Sequence, residues 1–369
     1  LSKKLTMIFN FLMLTIGLVQ LVLGPILDFV MRDFALDKAQ AGLVSMTYML
    51  GNVPGMLLSN RKLSLKGIRL SSFLLALALG LLAGAPEVWF FLIGLFFAGM
   101  AAGYLFTGMA ALSTSFLPQE HKAATLSRLY AWLGIGVVLG PLYSSLWQQQ
   151  GLWRPIPASY AIASLALGIF LAGEESPAPA QQAESAFSGS LGFWLICLGI
   201  FFYVGAESIT SVWVVKFLLD EFQITWSNFV LGGLWLNITL GRFILAKAHF
   251  PSLPTLVVLA LWSTLCSFLA AFGSATVSVL SFLALGFGFS GIYSLLIDRG
   301  AALAGERAIG ILGTAGVLGA ASGSALAGFV AQSLGFPWGI ALAGFNTLGV
   351  VLAVLGSEKF SRVERGENI

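Results

Sequence analysis

A single glutamate, Glu207, lies inside an otherwise apolar run from Leu191 to Phe217, LGFWLICLGIFFYVGAESITSVWVVKF. An ionised carboxylate at bilayer depth costs roughly 2.5–3.5 kcal/mol, so a chain that keeps one there either neutralises it or uses it. At helical spacing Glu207 shares a face with Tyr203, Thr210 and Ser211, and one polar stripe runs past it. The nearest basic residue in the run is Lys216, nine positions on, so the carboxyl is expected to hold a proton much of the time. Two roles fit these residue types. One is a protonated or paired carboxyl that packs helices together. The other is a site that gains a proton facing one side of a membrane and releases it facing the other.

Further polar groups recur at helical spacing. Asn10, Gly17, Gln20, Gly24 and Asp28 are seven, three, four and four residues apart, a polar and small-residue stripe on one face. Asp28 is followed by Arg32, so it suits either an interfacial i,i+4 ion pair or a part in proton coupling beside Glu207. Tyr48 and Asn52, one turn apart, suit either hydrogen bonds to a polar solute or contacts between helices. Trp235, Asn237, Thr239 and Arg242 cluster in a later apolar run, where Arg242 is either a gate or a snorkelling anchor. The candidate wall of a solute site comprises Gln20, Tyr48, Asn52, Phe106, Tyr203, Ser211, Asn237 and Tyr293, with Arg61 and Arg242 as candidate gating residues.

Enzyme chemistry has little to stand on. The two histidines, His121 and His249, lie far apart, and HExxH, CxxC, GxSxG and Walker A patterns are absent from the sequence. No metal or cofactor is expected, and any uphill transport would draw on an ion gradient.

Positioning these residues requires a membrane. The 369 residues are 58% hydrophobic and 9% charged, with mean hydropathy +0.92, against about 25% charged in soluble domains. Twelve spans of ~20 residues would use roughly 240 residues. The apolar runs predict helices at 5–31, 40–59, 68–85, 88–114, 123–148 and 155–172, then at 191–219, 225–247, 253–273, 275–297, 307–333 and 336–356. The expected fold is an all-α membrane protein of two pseudo-symmetric six-helix bundles, residues 1–172 and 191–357. A polar linker, GEESPAPAQQAESAFSGS at 173–190, joins them, and a tail at 358–369 follows. With a cytoplasmic N-terminus, fifteen of the nineteen Lys and Arg residues fall inside, and only Arg32, Lys38, Arg154 and Lys216 fall outside. Both termini and the linker are thus expected in the cytoplasm of a cell-membrane protein. The basic residues mark membrane borders, which leaves membrane lipid as a partner and gives no reason to expect nucleic acid. Cys197 and Cys266 both lie in apolar spans, where a disulfide is not expected.

The halves echo each other. Gly136 is followed by Gly140, Gly151 and Trp153, and Gly319 by Gly323, Gly335 and Trp338, each set preceded by an acidic–basic loop (Glu120-His121-Lys122 and Glu306-Arg307). Such duplication suits transporters that rock about a midplane site. The Gly136…Gly140-Pro141 and Gly313, Gly316, Gly319, Gly323 patterns predict close-packing surfaces, with a kink at Pro141.

The layout, the basic stretch Asn60-Arg61-Lys62…Lys66-Gly67-Ile68-Arg69 and Gly136…Gly140-Pro141 resemble the major facilitator superfamily over the whole chain. Phe202-Tyr203-Val204-Gly205-Ala206-Glu207, Gly241-Arg242-Phe243 and Gln40-Ala41-Gly42-Leu43 resemble its fucose-permease-like branch of proton-coupled sugar transporters. The resemblance implies a monomeric carrier of a small, sugar-like solute that couples transport to protons. Several departures bear on the substrate. The superfamily's loop aspartate appears as Ser59 or Asn60, and an arginine often found in helix 4 falls at Leu95. Acidic residues of fucose permeases fall at Gly24 and Phe106, and a nearby asparagine at Ala110. Asp28, one turn beyond Gly24, could substitute in part. These changes argue against fucose itself and for a more apolar cavity. The Gly136…Gly140-Pro141 pattern also resembles one associated with drug–proton antiporters, so an exporter or flippase of amphipathic compounds stands as the alternative, and a non-transporting receptor or scaffold as a lesser one.

The linker carries no apolar period, so it is expected to be a passive connector. A protease site placed near Pro179 should leave transport intact after cleavage, as measured by solute flux. Loss of flux while the two halves stay associated would show that the connector takes part.

Overall fold

A computed structural model describes residues 2–61, 63–115, 119–172, 189–247, 252–305 and 308–364. The bulk of the linker (173–188), Lys62, His249, Glu306 and Arg307 lie outside the described residues. The described chain is α-helical, with thirteen helices. The first seven are α1 (Lys3–Gln20), α2 (Leu23–Asp33), α3 (Lys38–Arg61), α4 (Leu65–Gly84), α5 (Val88–Thr114), α6 (Gln119–Gln148) and α7 (Pro155–Phe170). The remainder are α8 (Leu191–Phe222), α9 (Ser227–Lys247), α10 (Ser252–Phe272), α11 (Ala275–Ala304), α12 (Ala308–Ser333) and α13 (Phe336–Glu364). Ten are long and apolar enough to cross a membrane, and the pair α1 and α2 makes an eleventh span if taken together. The apolar α7 has 16 residues and so rises only ~24 Å, short of a ~30 Å hydrocarbon core.

The helix expected over 5–31 is broken. α1 and α2 meet at 46° around Leu21 and Val22. Pro25 explains the position: its ring has no N–H to give and clashes with the carbonyl four residues back, that of Leu21. The Val22 N–H bonds Val19 O at 3.1 Å instead, a tightened last turn of α1. The expected stripe is therefore split, with Gln20 exposed while Gly17, Gly24 and Asp28 are buried. α8 is longer than expected. The Ser190 hydroxyl accepts from Phe193 N–H at its start, and it ends where Gln223 turns left-handed at φ 58°. α13 continues to Glu364, so much of the expected tail is helix.

The chain divides into two compact units, Leu1–Leu36 with Thr47–Gln182, and Asp37–Met46 with Ala183–Ile369. Each is held by the same set of helix pairs. In the first, α1 packs on α6, α4 on α5 and α7, and α1 on α7. In the second, α8 packs on α12, α10 on α11 and α13, and α8 on α13. Glycines set the tightest contacts. A Cβ on Gly136 would overlap the carbonyl of Leu14, and one on Gly17 that of Leu133, so α1 and α6 touch backbone to backbone. In the second unit, a Cβ on Gly319 would overlap the Phe201 carbonyl, and one on Gly323 would lie 2.7 Å from Gly205 O. The echo extends to the turns that follow, where Gly151 (φ 71°) and Gly335 (φ 99°) both take the left-handed conformation that glycine allows. The first turns of α3 belong to the second unit, where the Lys38 N–H donates to Gln332 Oε1 at 3.2 Å and a Cβ on Gly42 would lie 2.9 Å from Ala325 O.

Gly319→Ala should destabilise the protein by about 1–3 kcal/mol, because backbone atoms cannot yield to a new methyl group. Gly310→Ala meets nothing within 4 Å and should be neutral or stabilising by about 0.5–1 kcal/mol. Thermal unfolding of the two variants in the same detergent checks the contrast.

Candidate functional site

Glu207 sits midway along α8, half-buried, between the buried Ala206 and Ser208. The close approach of Gly205 to Gly319 and Gly323 fixes this turn of the helix against α12. Tyr203, one turn earlier, is fully buried, and its ring meets Phe289 edge-on at 5.7 Å and Tyr293 at 6.2 Å, both from α11. Its hydroxyl lies 3.0 Å from the carbonyl oxygen of Phe289 and within hydrogen-bonding reach of the Glu207 side chain. One phenolic proton thus faces two acceptors. A protonated Glu207 resolves this, donating to Tyr203 Oη while Tyr203 donates to Phe289 O. An ionised Glu207 competes with that carbonyl for the same proton.

The counter-charge comes from α9. The Arg242 guanidinium acts electrostatically on both Glu207 and Tyr203. The helical run itself supplies no cation within one turn of Glu207; this one is remote in sequence and is brought in by the packing of α9 on α8. Arg242 is exposed, and no ion pair holds it among the described residues. A charge on a neighbouring helix that is not locked into a bidentate pair can respond when the carboxyl changes state.

Other polar groups in this unit fall into two kinds. Thr210 is tied to Ala206 O at 2.9 Å, and Asn237 Nδ2 donates to Leu283 O of α11 at 2.9 Å, so Asn237 joins helices. The buried Ser208 and Ser211 hydroxyls of α8 and the Trp235 indole N–H of α9 have no hydrogen-bond partner among the described residues. Trp235 and Ser208 were not among the candidate wall residues. Trp235 lies two helical turns before Arg242, a spacing that places both on one face and could have singled it out.

In the first unit Tyr48 and Asn52 meet each other, and other candidates pair with residues outside the candidate set. Asp28 forms an i,i+4 ion pair with Arg32. Asn52 donates to the Tyr48 carbonyl at 2.9 Å and its side chain also meets the Tyr48 hydroxyl. Phe106 stacks on Tyr130 of α6, centroids 5.5 Å apart at 27°. Gln20 and Arg61 are exposed. Asp33, not a candidate, accepts from Trp153 Nε1 at 2.8 Å and lies 3.6 Å from Arg154, whose guanidinium also donates to the carbonyls of Ala83 and Ala85. Among the described residues no group of three His, Cys, Asp or Glu side chains could hold a metal ion.

The family model for the Major Facilitator Superfamily matches residues 9–307. No curated protein sequence matches the chain significantly. Among solved structures, a bacterial homolog of the human lysosomal transporter Spinster superposes with a TM-score of 0.79 at 14% identity, over 97% of this chain and 96% of that one. A proton-dependent oligopeptide transporter gives 0.78 at 11% identity, over 98% of each chain. The E. coli fucose:proton symporter gives 0.65 at 17% identity, over 95% of this chain and 98% of that one. The likeness is one of fold, and it does not single out the fucose-permease-like branch.

If Glu207 and Arg242 act on each other, their substitutions should not add. The double variant Glu207→Gln, Arg242→Gln should be more stable than the two single losses sum to, by about 0.5–3 kcal/mol. Thermal or denaturant unfolding of the four proteins measures this. Additivity within ~0.5 kcal/mol would mean that the two groups do not share an environment.

Proposed function

The chain belongs to the Major Facilitator Superfamily, and from that premise we propose that it is a proton-coupled carrier of a small, sugar-like organic solute working by alternating access. In this reading α1 with α2 forms the first span and the short α7 the sixth, giving twelve in two bundles of six at 1–172 and 191–357. The linker, the tail and both termini face the cytoplasm of the cell membrane, and the carrier works as a monomer. The two units' shared set of helix pairs and equivalent glycine contacts support this layout.

The observation that carries the mechanism is Glu207 set between the Tyr203 hydroxyl and the field of Arg242. Protonated, the carboxyl completes a chain of donors to Phe289 O and leaves Arg242 uncompensated. Ionised, it draws on Arg242. A protonation step thus redistributes one positive charge between α8 and α9, a local change able to bias two arrangements of the helices. The unpartnered Ser208, Ser211 and Trp235 groups offer donors to solute hydroxyls along the same two helices. Tyr293, exposed on α11 and backed by the buried Tyr203, supplies the aromatic surface on which a sugar ring rests. Arg242 serves as counter-charge and gate in one. Asp28, ion-paired with Arg32, serves the first unit as a secondary charge site, with Gln20, Tyr48, Asn52, Phe106, Asn237 and Arg61 lining or gating the path. Names of similar structures, a fucose:proton symporter and a proton-dependent oligopeptide transporter, favour the proton as coupling ion.

A second reading, export of amphipathic compounds, draws on Phe106 stacked on Tyr130, an aromatic surface suited to an apolar solute. In proteoliposomes, the direction of flux under an imposed pH gradient separates importer from exporter.

Glu207→Gln mimics the protonated carboxyl. The variant should fold and exchange labelled for unlabelled solute, because exchange needs no deprotonation, while accumulation driven by a pH gradient falls at least about tenfold. Both activities are measured on one preparation. Accumulation at the unaltered protein's rate would make Glu207 a structural residue.

A further inference from the structure

A groove in the first unit, away from Glu207, is lined by Leu58 of α3, by Ser64, Lys66, Gly67, Leu70, Ser71 and Leu74 of the turn and α4, and by Tyr104 of α5. Its volume, about 320 Å³, falls within the range of small-ligand sites. The groove is two-ended in chemistry. Leu58, Leu70 and Leu74 make an apolar trough, with Leu58 and Leu70 exposed on the outer surface of their helices. Gly67 lets the Tyr104 phenol close the floor, since a Cβ there would overlap its hydroxyl. Ser64 and Lys66 stand at the start of α4. The Ser64 hydroxyl accepts from Gly67 N–H at 3.0 Å, which leaves its own proton to donate outward. The Lys66 ammonium is exposed and has no ion pair among the described residues.

Charge decides the occupant. From Lys38 to Pro86 the sequence holds five basic residues (Lys38, Arg61, Lys62, Lys66 and Arg69) and no acidic one. An apolar trough edged by exposed leucines that ends at Lys66, in a stretch without acidic residues, matches a molecule with an acyl chain and a net negative head. We propose that this groove binds an anionic phospholipid of the leaflet that meets the α3–α4 turn, with one acyl chain along Leu58, Leu70 and Leu74 and the phosphate on Lys66 and Ser64. A zwitterionic lipid carries the same phosphate, but its own cation offsets the attraction. A free phosphate ester shares the donors and leaves the trough empty.

The test uses the full chain, purified in a neutral detergent. Native mass spectrometry compares retained phosphatidylglycerol with phosphatidylcholine of the same acyl chains, and glycerol 3-phosphate serves as the headgroup alone. Phosphatidylglycerol should be retained preferentially and glycerol 3-phosphate should not be retained. Lys66→Gln, at an exposed position, should weaken the preference about fivefold. Leu74→Trp, which fills the trough, should lower retention of both lipids. Equal retention of the two lipids, or an unchanged preference in Lys66→Gln, would overturn the proposal. Retention of glycerol 3-phosphate as strong as that of the lipid would overturn it in favour of a simple anion site. Should Leu74→Trp fail to fold, the Lys66→Gln comparison decides alone.

Discussion

Backbone contact between helices at glycine is the constraint on which the rest of this structure rests. Lipid tails are as apolar as leucine, so burial of side chains gives spanning helices little reason to associate, and packing must do so instead. Gly17 against Leu133, Gly136 against Leu14 and Gly319 against Phe201 bring backbones close enough that a single methyl group has no space. Each contact fixes the rotation of a helix as well as its distance. For α8 that rotation sets where Glu207 points, because Gly205 lies only two residues before it and is clasped by Gly319 and Gly323. The chemistry of the carboxyl therefore depends on residues that carry no chemistry.

Within that frame Glu207 answers its desolvation cost without a locked ion pair. A bidentate partner would hold it ionised, and an apolar pocket would hold it neutral. Tyr203 and Arg242 provide for either state, since the phenol can donate or accept and the guanidinium acts from another helix. The contrast with Asp28 is informative. Its partner Arg32 lies on the same helix one turn away, so no movement of one helix against another changes that pair.

The sequence was most legible where a rule depends on local spacing. Helix positions follow from apolar runs long enough to span, and the paired Gly136 and Gly319 patterns foretold surfaces that the glycine contacts bear out. The pairing of Asp28 with Arg32 was one of two readings that i,i+4 spacing left open. Legibility failed where a contact joins distant segments. Arg242 stands 35 residues after Glu207, and only the packing of α9 on α8 makes them neighbours. The Trp153–Asp33 hydrogen bond spans 120 residues and left no pattern to find. The break at Leu21 was a failure of another kind. Pro25 marks the break in the sequence, within an apolar run that is long enough to span without one.

That break also shows where the two units part company. α1 and α8 hold equivalent places, each packed on a glycine-rich partner, α6 or α12, and on a last helix, α7 or α13. Yet α1 ends at Gln20 with α2 bent away, while α8 runs unbroken for 32 residues through Glu207. A continuous helix satisfies its own backbone, so the only polar demands near Glu207 are those of side chains. In the first unit the turn at Leu21 is closed by its own backbone, Val22 N–H on Val19 O, and Gln148 of α6 donates to the carbonyl of Pro25 within α2. The two units share a packing skeleton whose glycine contacts leave no space for a side chain. Their polar features differ: the first unit carries the backbone break between α1 and α2, and the second carries Glu207 within an unbroken α8.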